Sequence, residues 1–445
     1  MPSHRRLTCK LNYFQSIILL FAMVILIGAA LLMLPISAQG HTVTPFHEAL
    51  FTATSAVCVT GLVVRDTASH WSAFGQAVLM VLIQIGGLGV ITVGASFSLL
   101  SGRRISLSQR GRMQEAMSAP KVGGIVRLTG FVIRSSLVME GIGALCMLPV
   151  FCRDFGVSGI WKAIFHSVSA FCNAGFDLMG TPDTPFVSLT AYRADPVISL
   201  TISALIVIGG IGFLTWDDVR TNRLHFHRYR LQSKVILTST ALLILLPTLY
   251  FFFFEFKGVT PQERLLLSLF QSITPRTAGF NTADYTSLSS SGRGLTILLM
   301  FIGGSPGSTA GGIKTTTIAV LVANAFAVFR RQKSPEMFGR RMEEKAVHDA
   351  AAIFTLYLVL SLTGAFTIST VEGLPLSECL FETTSAIATV GLSLGLTPHL
   401  GIVSQGILIF LMFIGRVGGL TMIYAALSGS KSSVARLPQE RITVG

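Results

Sequence analysis

The sequence predicts an all-α polytopic membrane protein built from four internal repeats in pseudo-fourfold arrangement. Three observations carry this: apolar blocks of bilayer length, a low charge content, and two short motifs that recur four times in one order. Half of the 445 residues are hydrophobic and only 12% are charged, against about 25% in a soluble domain; the mean hydropathy is +0.66. The apolar blocks cover 16–34, 74–100, 125–150, 197–216, 235–254, 346–371 and 402–427, with an eighth, 295–328, interrupted by a Gly/Ser-rich stretch. Each is close to the roughly 20 residues that a spanning helix needs, so eight spanning helices are expected. The first block is too long for a signal peptide, and Leu34-Pro35-Ile36-Ser37 is a poor cleavage site, so it is read as retained.

The net charge of +13 is distributed in alternate loops. Basic groups sit at Arg5, Arg6 and Lys10, at Arg103 to Arg134, at Arg220 to Lys234, at Arg330 to Lys345, and at Lys431, Arg436 and Arg441. The positive-inside rule places these segments and both termini in the cytoplasm. Nucleic-acid binding would require a soluble basic face with aromatic partners, and the sequence has no such domain. The six cysteines form no C-x-x-C pair and read as small apolar packing residues, with a Cys146–Cys152 disulfide left open.

Four segments align as the first motif: FTATSAVCVTGL from Phe51, FHSVSAFCNAGF from Phe165, FQSITPRTAGF from Phe270 and FETTSAIATVGL from Phe381. Each has a Phe, a Ser or Thr followed by Ala or Pro, and then Gly61, Gly175, Gly279 or Gly391; the third copy is one residue shorter. The second motif reads QIGGLG from Gln84, VIGGIG from Val207, FIGGSPGSTAGGIK from Phe301 and FIGRVG from Phe413. The repeats are placed at 1–102, 103–219, 220–332 and 333–445, each an outer span, a half-length segment ending near a glycine, and an inner span. Segments such as 45–58 and 374–388 are too short to cross a bilayer and are read as re-entrant pore helices. Irregular backbone at membrane depth is tolerated only where protein buries it or it lines a cavity, so four such hairpins imply one axial ion pore.

This arrangement points to a monovalent cation, potassium first. Rings of backbone carbonyls replace the hydration shell of such an ion without placing formal charge in the membrane, and glycine lets carbonyls converge. The predicted ligands are main-chain oxygens of Val59, Thr60 and Gly61, Asn173, Ala174 and Gly175, Thr277, Ala278 and Gly279, and Thr389, Val390 and Gly391. The second-motif glycines Gly86, Gly89, Gly209 and Gly212 are read as helix-packing positions. The run Gly303-Gly304-Ser305-Pro306-Gly307-Ser308-Thr309-Ala310-Gly311-Gly312, closed by Lys314, cannot stay helical and is expected to interrupt the third inner span alone, as a gate at residues 303–314. Arg416, at membrane depth in the fourth copy, is expected to tune ion occupancy or to pair with that loop.

Other classes fit less well. In GSTAGGIKTTT, Ile313 separates Gly312 from Lys314, which breaks the Walker A spacing, and no strand precedes it. His166, Glu140, Glu255, Glu378 and Glu382 form no metal-binding or catalytic spacing, so no enzyme is expected. A potassium/sodium symporter is the serious alternative, although transporters are more often built from two large halves.

On the four glycine-ended segments and the GGSPGSTAGGIK loop, the chain resembles the Trk/Ktr/HKT superfamily of potassium transporters over nearly its whole length. The short N-terminus and Gly61 make it most like the Ktr membrane subunit (KtrB type). The resemblance implies that Gly61, Gly175, Gly279 and Gly391 are selectivity-filter glycines, that Ser305 to Lys314 is the gating loop, and that Arg416 is the basic residue of the last inner helix. It further implies a homodimer in the bacterial plasma membrane, a cytoplasmic ring of RCK-type regulatory subunits (KtrA/KtrC type) that carries the nucleotide, and no cofactor here beyond bound potassium.

Overall fold

The computed structural model describes residues 13–89, 111, 125–223, 225–332, 334–426 and 440. Residues 1–12, the basic segment from Arg103 to Lys121 except Gly111, the far half of the first inner span, and the C-terminal residues after 426 except Glu440 lie outside the described residues.

Each repeat contributes an outer helix, a short helix and an inner helix. The first has α1 (Tyr13–Leu32), α2 (Phe46–Cys58) and α3 (Ala73–Leu88). The second has α4 (Ile125–Phe155), α5 (Ser158–Phe171), and an inner pair α6 (Pro196–Ile211) and α7 (Phe213–Asn222). The third has α8 (Leu231–Tyr250), α9 (Pro261–Ile273), α10 (Ser290–Phe301) and α11 (Thr315–Phe329). The fourth has α12 (Glu344–Glu372), α13 (Leu376–Ile387), α14 (Ile402–Val417) and α15 (Gly419–Ala426).

Polarity is inverted relative to a soluble protein. The four outer helices are long and apolar enough to span a bilayer, yet at most 33% of the most apolar window of each is buried. Leu26, Leu145, Leu246 and Phe366 point outward among many others, as a lipid-facing surface demands. The interior is polar where the short helices meet: Thr54, Ser55, His166, Ser169, Gln271, Glu382, Thr384 and Ser385 are buried. The short helices have 13, 14, 13 and 12 residues, about 20 Å at 1.5 Å per residue, against a hydrocarbon core of about 30 Å. They enter and do not cross.

The inner spans correct the expectation that the third repeat alone is broken. Helices α3, α6 and α14 have only 16 residues each and end at Gly89, Gly212 and Gly418, whose φ angles are 85°, 97° and 94°. These left-handed values are open to glycine and cost other residues strain. At Gly212 the chain turns by 93° between α6 and α7. The glycines read as packing positions therefore divide into two sets. Gly89 and Gly212 break the helix. Gly86 and Gly209, with Gly415, pack against the end of the short helix of their own repeat, where a Cβ would stand 2.2, 2.1 and 2.1 Å from the carbonyl oxygens of Val57, Phe171 and Ile387. All five described cysteines from Cys58 onward are free thiols, Cys146 and Cys152 included.

Candidate ion site

The first motif produces the same backbone four times. Val59, Asn173, Thr277 and Thr389 each take a left-handed conformation (φ 57°, 60°, 67° and 51°), and two residues later Gly61, Gly175, Gly279 and Gly391 have φ of 91°, 72°, 79° and 91°. The motif's hydroxyl residue pins this turn. In the first, second and fourth copies the amides of Thr60, Ala174 and Val390 donate to the carbonyls of Ser55, Ser169 and Ser385 at 2.8, 2.7 and 2.8 Å. The shorter third copy closes one residue tighter, Ala278 N donating to Thr274 O at 3.0 Å. The hydroxyls of Ser55 and Ser385 then accept from Gly61 N and Gly391 N at 3.0 and 3.1 Å, and the Ser169 hydroxyl donates to Phe176 O at 2.7 Å.

The four turns close into a ring. A Cβ on Gly61 would lie 2.5 Å from Ala174 O, on Gly175 2.7 Å from Ala278 O, on Gly279 2.6 Å from Val390 O, and on Gly391 2.1 Å from Thr60 O. The order runs through repeats one, two, three, four and back to one. A side chain at any of these positions would push into the neighbouring repeat's carbonyl, so the repeat-wide glycine is set by close approach as well as by φ.

A cavity of about 150 Å³ opens on one side of the ring, lined by all four glycines together with Asp66, Asp177, Ser188, Asn281 and His399. Asp177, in the loop between α5 and α6, is half-buried, and burial pushes its carboxyl up to about 6 despite a hydrogen bond from Met179 N. Behind the fourth turn, Glu382 is fully buried and satisfied: Ser393 Oγ and Thr397 Oγ1 donate at 2.6 Å and Leu394 N at 2.9 Å.

On the opposite side of the ring, residues 303–314 form an irregular loop packed against the turns and the broken inner helices. A Cβ on Gly311 would meet Thr389 Oγ1 at 2.1 Å, and one on Gly312 would meet Ala388 O at 2.7 Å. Ser305 N and Thr309 N donate to the carbonyls of Gly210 and Gly209 at 3.0 and 3.3 Å, and Gly307 O accepts from Phe213 N at 2.8 Å. Gly312 N donates to Gly415 O at 3.1 Å, and the Lys314 ammonium donates within the loop to Ala310 O and Gly311 O at 2.8 and 3.2 Å. Arg416 ties the assembly together: its guanidinium donates to Thr309 O, to Gly86 O, and to Gly87 O at 3.1 Å. Among the described residues Arg416 has no carboxylate partner; it is bonded to carbonyls of the loop and of the first inner helix.

All twelve predicted ring residues thus meet at one locus, and all twelve loop residues named above, with Arg416, lie on one side of it. Ser55, Ser169, Thr274 and Ser385 hold the turns from behind, a role whose signal in the sequence was the Ser/Thr of the first motif, and Glu382, which has no catalytic spacing in the sequence, braces the fourth turn. The sequence reading did not single out Arg276, whose buried guanidinium donates to Thr240 Oγ1 at 3.2 Å. Replacing Ser385 by Ala orphans Gly391 N, at a cost of about 1–3 kcal/mol. The expected result is a melting temperature lowered by a few degrees, measured on purified protein, with Ser385→Thr close to wild type.

Comparison with known proteins places this geometry. The sequence profile of the TrkH family, described as cation transport protein, matches residues 10–434. The chain is 40% identical to the potassium/sodium uptake protein NtpJ of Enterococcus hirae over 99% of both chains. It is 39% identical to the Ktr system potassium uptake protein B of Bacillus subtilis, over 96% of this chain and 95% of that one. The crystal structure of the potassium transporter TrkH from Vibrio parahaemolyticus shares the fold, with a TM-score of 0.74 at 18% identity over 95% of this chain and 86% of that one. With its profile match, its full-length relatives and its four re-entrant turns, the chain is a multi-pass membrane protein of the TrkH family of cation transporters.

Proposed function

We propose that this chain takes up potassium through the ring of main-chain oxygens at 59–61, 173–175, 277–279 and 389–391, with residues 303–314 and Arg416 as the gate. One observation carries the reading: the four turns share one backbone conformation and contact each other in closed cyclic order. A ring of carbonyls replaces the hydration shell of a cation without formal charge at membrane depth. Helices α2, α5, α9 and α13 point their C-terminal, partially negative ends toward the ring, which favours a cation there. The names of the Enterococcus and Bacillus relatives, both potassium uptake proteins, support the choice of ion.

The cavity bearing Asp66 and Asp177 is then the external mouth, in a bacterial plasma membrane with both termini in the cytoplasm, and the repeats divide near residues 102, 219 and 332. The basic ends of α7, α8, α11 and α12 face the cytoplasm in this orientation, as the positive-inside rule expects. The word "system" in the name of the Bacillus relative supports assembly with a further component. We assign that role to an RCK-type, nucleotide-binding cytoplasmic ring acting on a homodimer of this chain. Sodium in the name of the Enterococcus relative favours a second reading, potassium/sodium symport. The test is rubidium uptake by a potassium-uptake-deficient strain expressing the chain, with and without external sodium. Saturable uptake without sodium supports the pore, a strict sodium requirement supports symport, and absence of uptake overturns both.

Asp177 supplies a further expected result. Its carboxyl is ionised above about 6 and protonated below, so the mouth loses negative charge as external pH falls through that value. Rubidium uptake at sub-saturating concentration should fall several-fold between pH 7.5 and 5, and Asp177→Asn should show the low-pH rate at both values. Because burial raises this carboxyl, ionising it costs stability. That cost is absent below about 4, grows as pH rises to about 6, and is then constant.

A further inference from the structure

Glu140 lies about midway along α4, whose spanning segment is Val126–Phe155, and its side chain is buried. A buried ionisable group at that depth is normally paired or functional. Among the described residues Glu140 is in no ion pair. Its two oxygens share one donor, Gln84 Nε2 on α3, at 2.9 and 3.3 Å. The Cys172 thiol is in looser contact at 3.9 Å. The thiol's shorter contact is to Gln84 Oε1 at 3.5 Å, which occupies that amide oxygen and turns the Gln84 amide N–H toward the carboxyl, the orientation that suits a carboxylate.

Glu382 shows what a structurally satisfied acid looks like in this protein: two hydroxyls and a backbone amide close around it. Glu140 has one amide. It nevertheless stands directly behind the ring. Cys172 immediately precedes Asn173 of the second turn, and Gln84 lies two residues before Gly86, which packs on the end of α2. The nearby guanidinium of Arg416 is engaged by the carbonyls of Gly86, Gly87 and Thr309, not by this carboxylate. A buried carboxylate with no ion-pair partner among the described residues is stabilised by a cation close by, because its field is poorly screened at membrane depth.

We propose that Glu140 is an affinity-determining residue of the ion pathway: held by Gln84 behind the turn of the second repeat, its charge is balanced by the cations in the ring. This rests on the reading of the ring as a potassium site. It acts through the field at the ring and touches no ion, so neutralising it weakens ion binding while the geometry that limits maximal flux is retained.

The experiment is rubidium uptake in the deficient strain at constant pH, with membrane abundance measured for each variant. Glu140→Gln is expected to raise KM about ten-fold with Vmax, per molecule, within two-fold of wild type, while Glu140→Asp stays within three-fold in KM. Gln84→Lys keeps the carboxylate and neutralises it with a neighbouring ammonium. It should raise KM in the same way, and it provides the test if Glu140→Gln fails to reach the membrane. A KM within two-fold of wild type in either neutralised variant overturns the proposal, as does an equal KM for the Asp and Gln variants, which would mark a packing role. If wild type itself takes up no rubidium, both this proposal and the potassium reading fall; if wild type transports and only the KM prediction fails, the potassium reading stands.

Discussion

Gly61→Ser should admit sodium and cut potassium uptake by an order of magnitude or more. Two independent costs meet at that position. The backbone φ of 91° is strained for any residue with a Cβ, by about 1–3 kcal/mol. The new Cβ would also stand 2.5 Å from Ala174 O and 3.1 Å from Gly175 Cα. Both neighbours are backbone atoms of the adjacent turn, so no side chain can swing away to make room. The ring must distort, and a carbonyl moved out of it no longer matches a dehydrated potassium ion. The measurement is the ratio of rubidium to sodium uptake in the deficient strain, with total protein checked in the membrane. An unchanged ratio with normal flux would show that Gly61 does not border the ion. By the same geometry Gly391→Ser is the more severe variant, since its Cβ would approach Thr60 O to 2.1 Å.

Arg416→Gln has the second largest expected effect, in the opposite direction. The Arg416 guanidinium reaches Thr309 O of the loop and the Gly86 and Gly87 carbonyls of α3 at the same time. Hydrogen bonds to a charged group contribute about 1.5–3 kcal/mol each. Glutamine has a shorter side chain and a single NH₂ group, so it cannot hold both elements. Freed from that tether, the loop keeps its weaker amide contacts to Gly209, Gly210 and Gly415. Removing a positive charge beside the ring also lowers the barrier for a passing cation. The maximal rate of rubidium uptake should rise several-fold with KM little changed. Unchanged flux and affinity would exclude Arg416 from gating.

Much of this architecture was legible in the chain itself. The four copies of the first motif, with glycines 114, 104 and 112 residues apart, marked the four turns that the fold brings together. The shortness of the segments ahead of them identified α2, α5, α9 and α13 as re-entrant, because about 30 Å of hydrocarbon cannot be crossed by so few residues. The GGSPGSTAGG run announced its own interruption of a helix.

Other features were not legible. The breaks at Gly89, Gly212 and Gly418 sit within apolar runs that read as continuous spans, because periodicity does not distinguish a glycine that packs from one that takes a φ near +90°. The hydroxyls of Ser55 and Ser385 are ordinary polar residues until the turn brings Gly61 N and Gly391 N to them. Arg416 announced itself by its depth, but its carbonyl partners lie 107 and 330 residues away in the chain.

The sequence by itself determined the fold class and the four copies of the glycine-ended turn. Those follow from local length, hydropathy and glycine placement, and each repeat carries its own copy of the information. The tertiary structure alone decided the cyclic order of the ring, the clamp from Arg416 across loop and helix, and the near-solitary carboxylate of Glu140. These depend on which carbonyls and side chains meet across repeats, and no residue's own neighbours in the chain specify that.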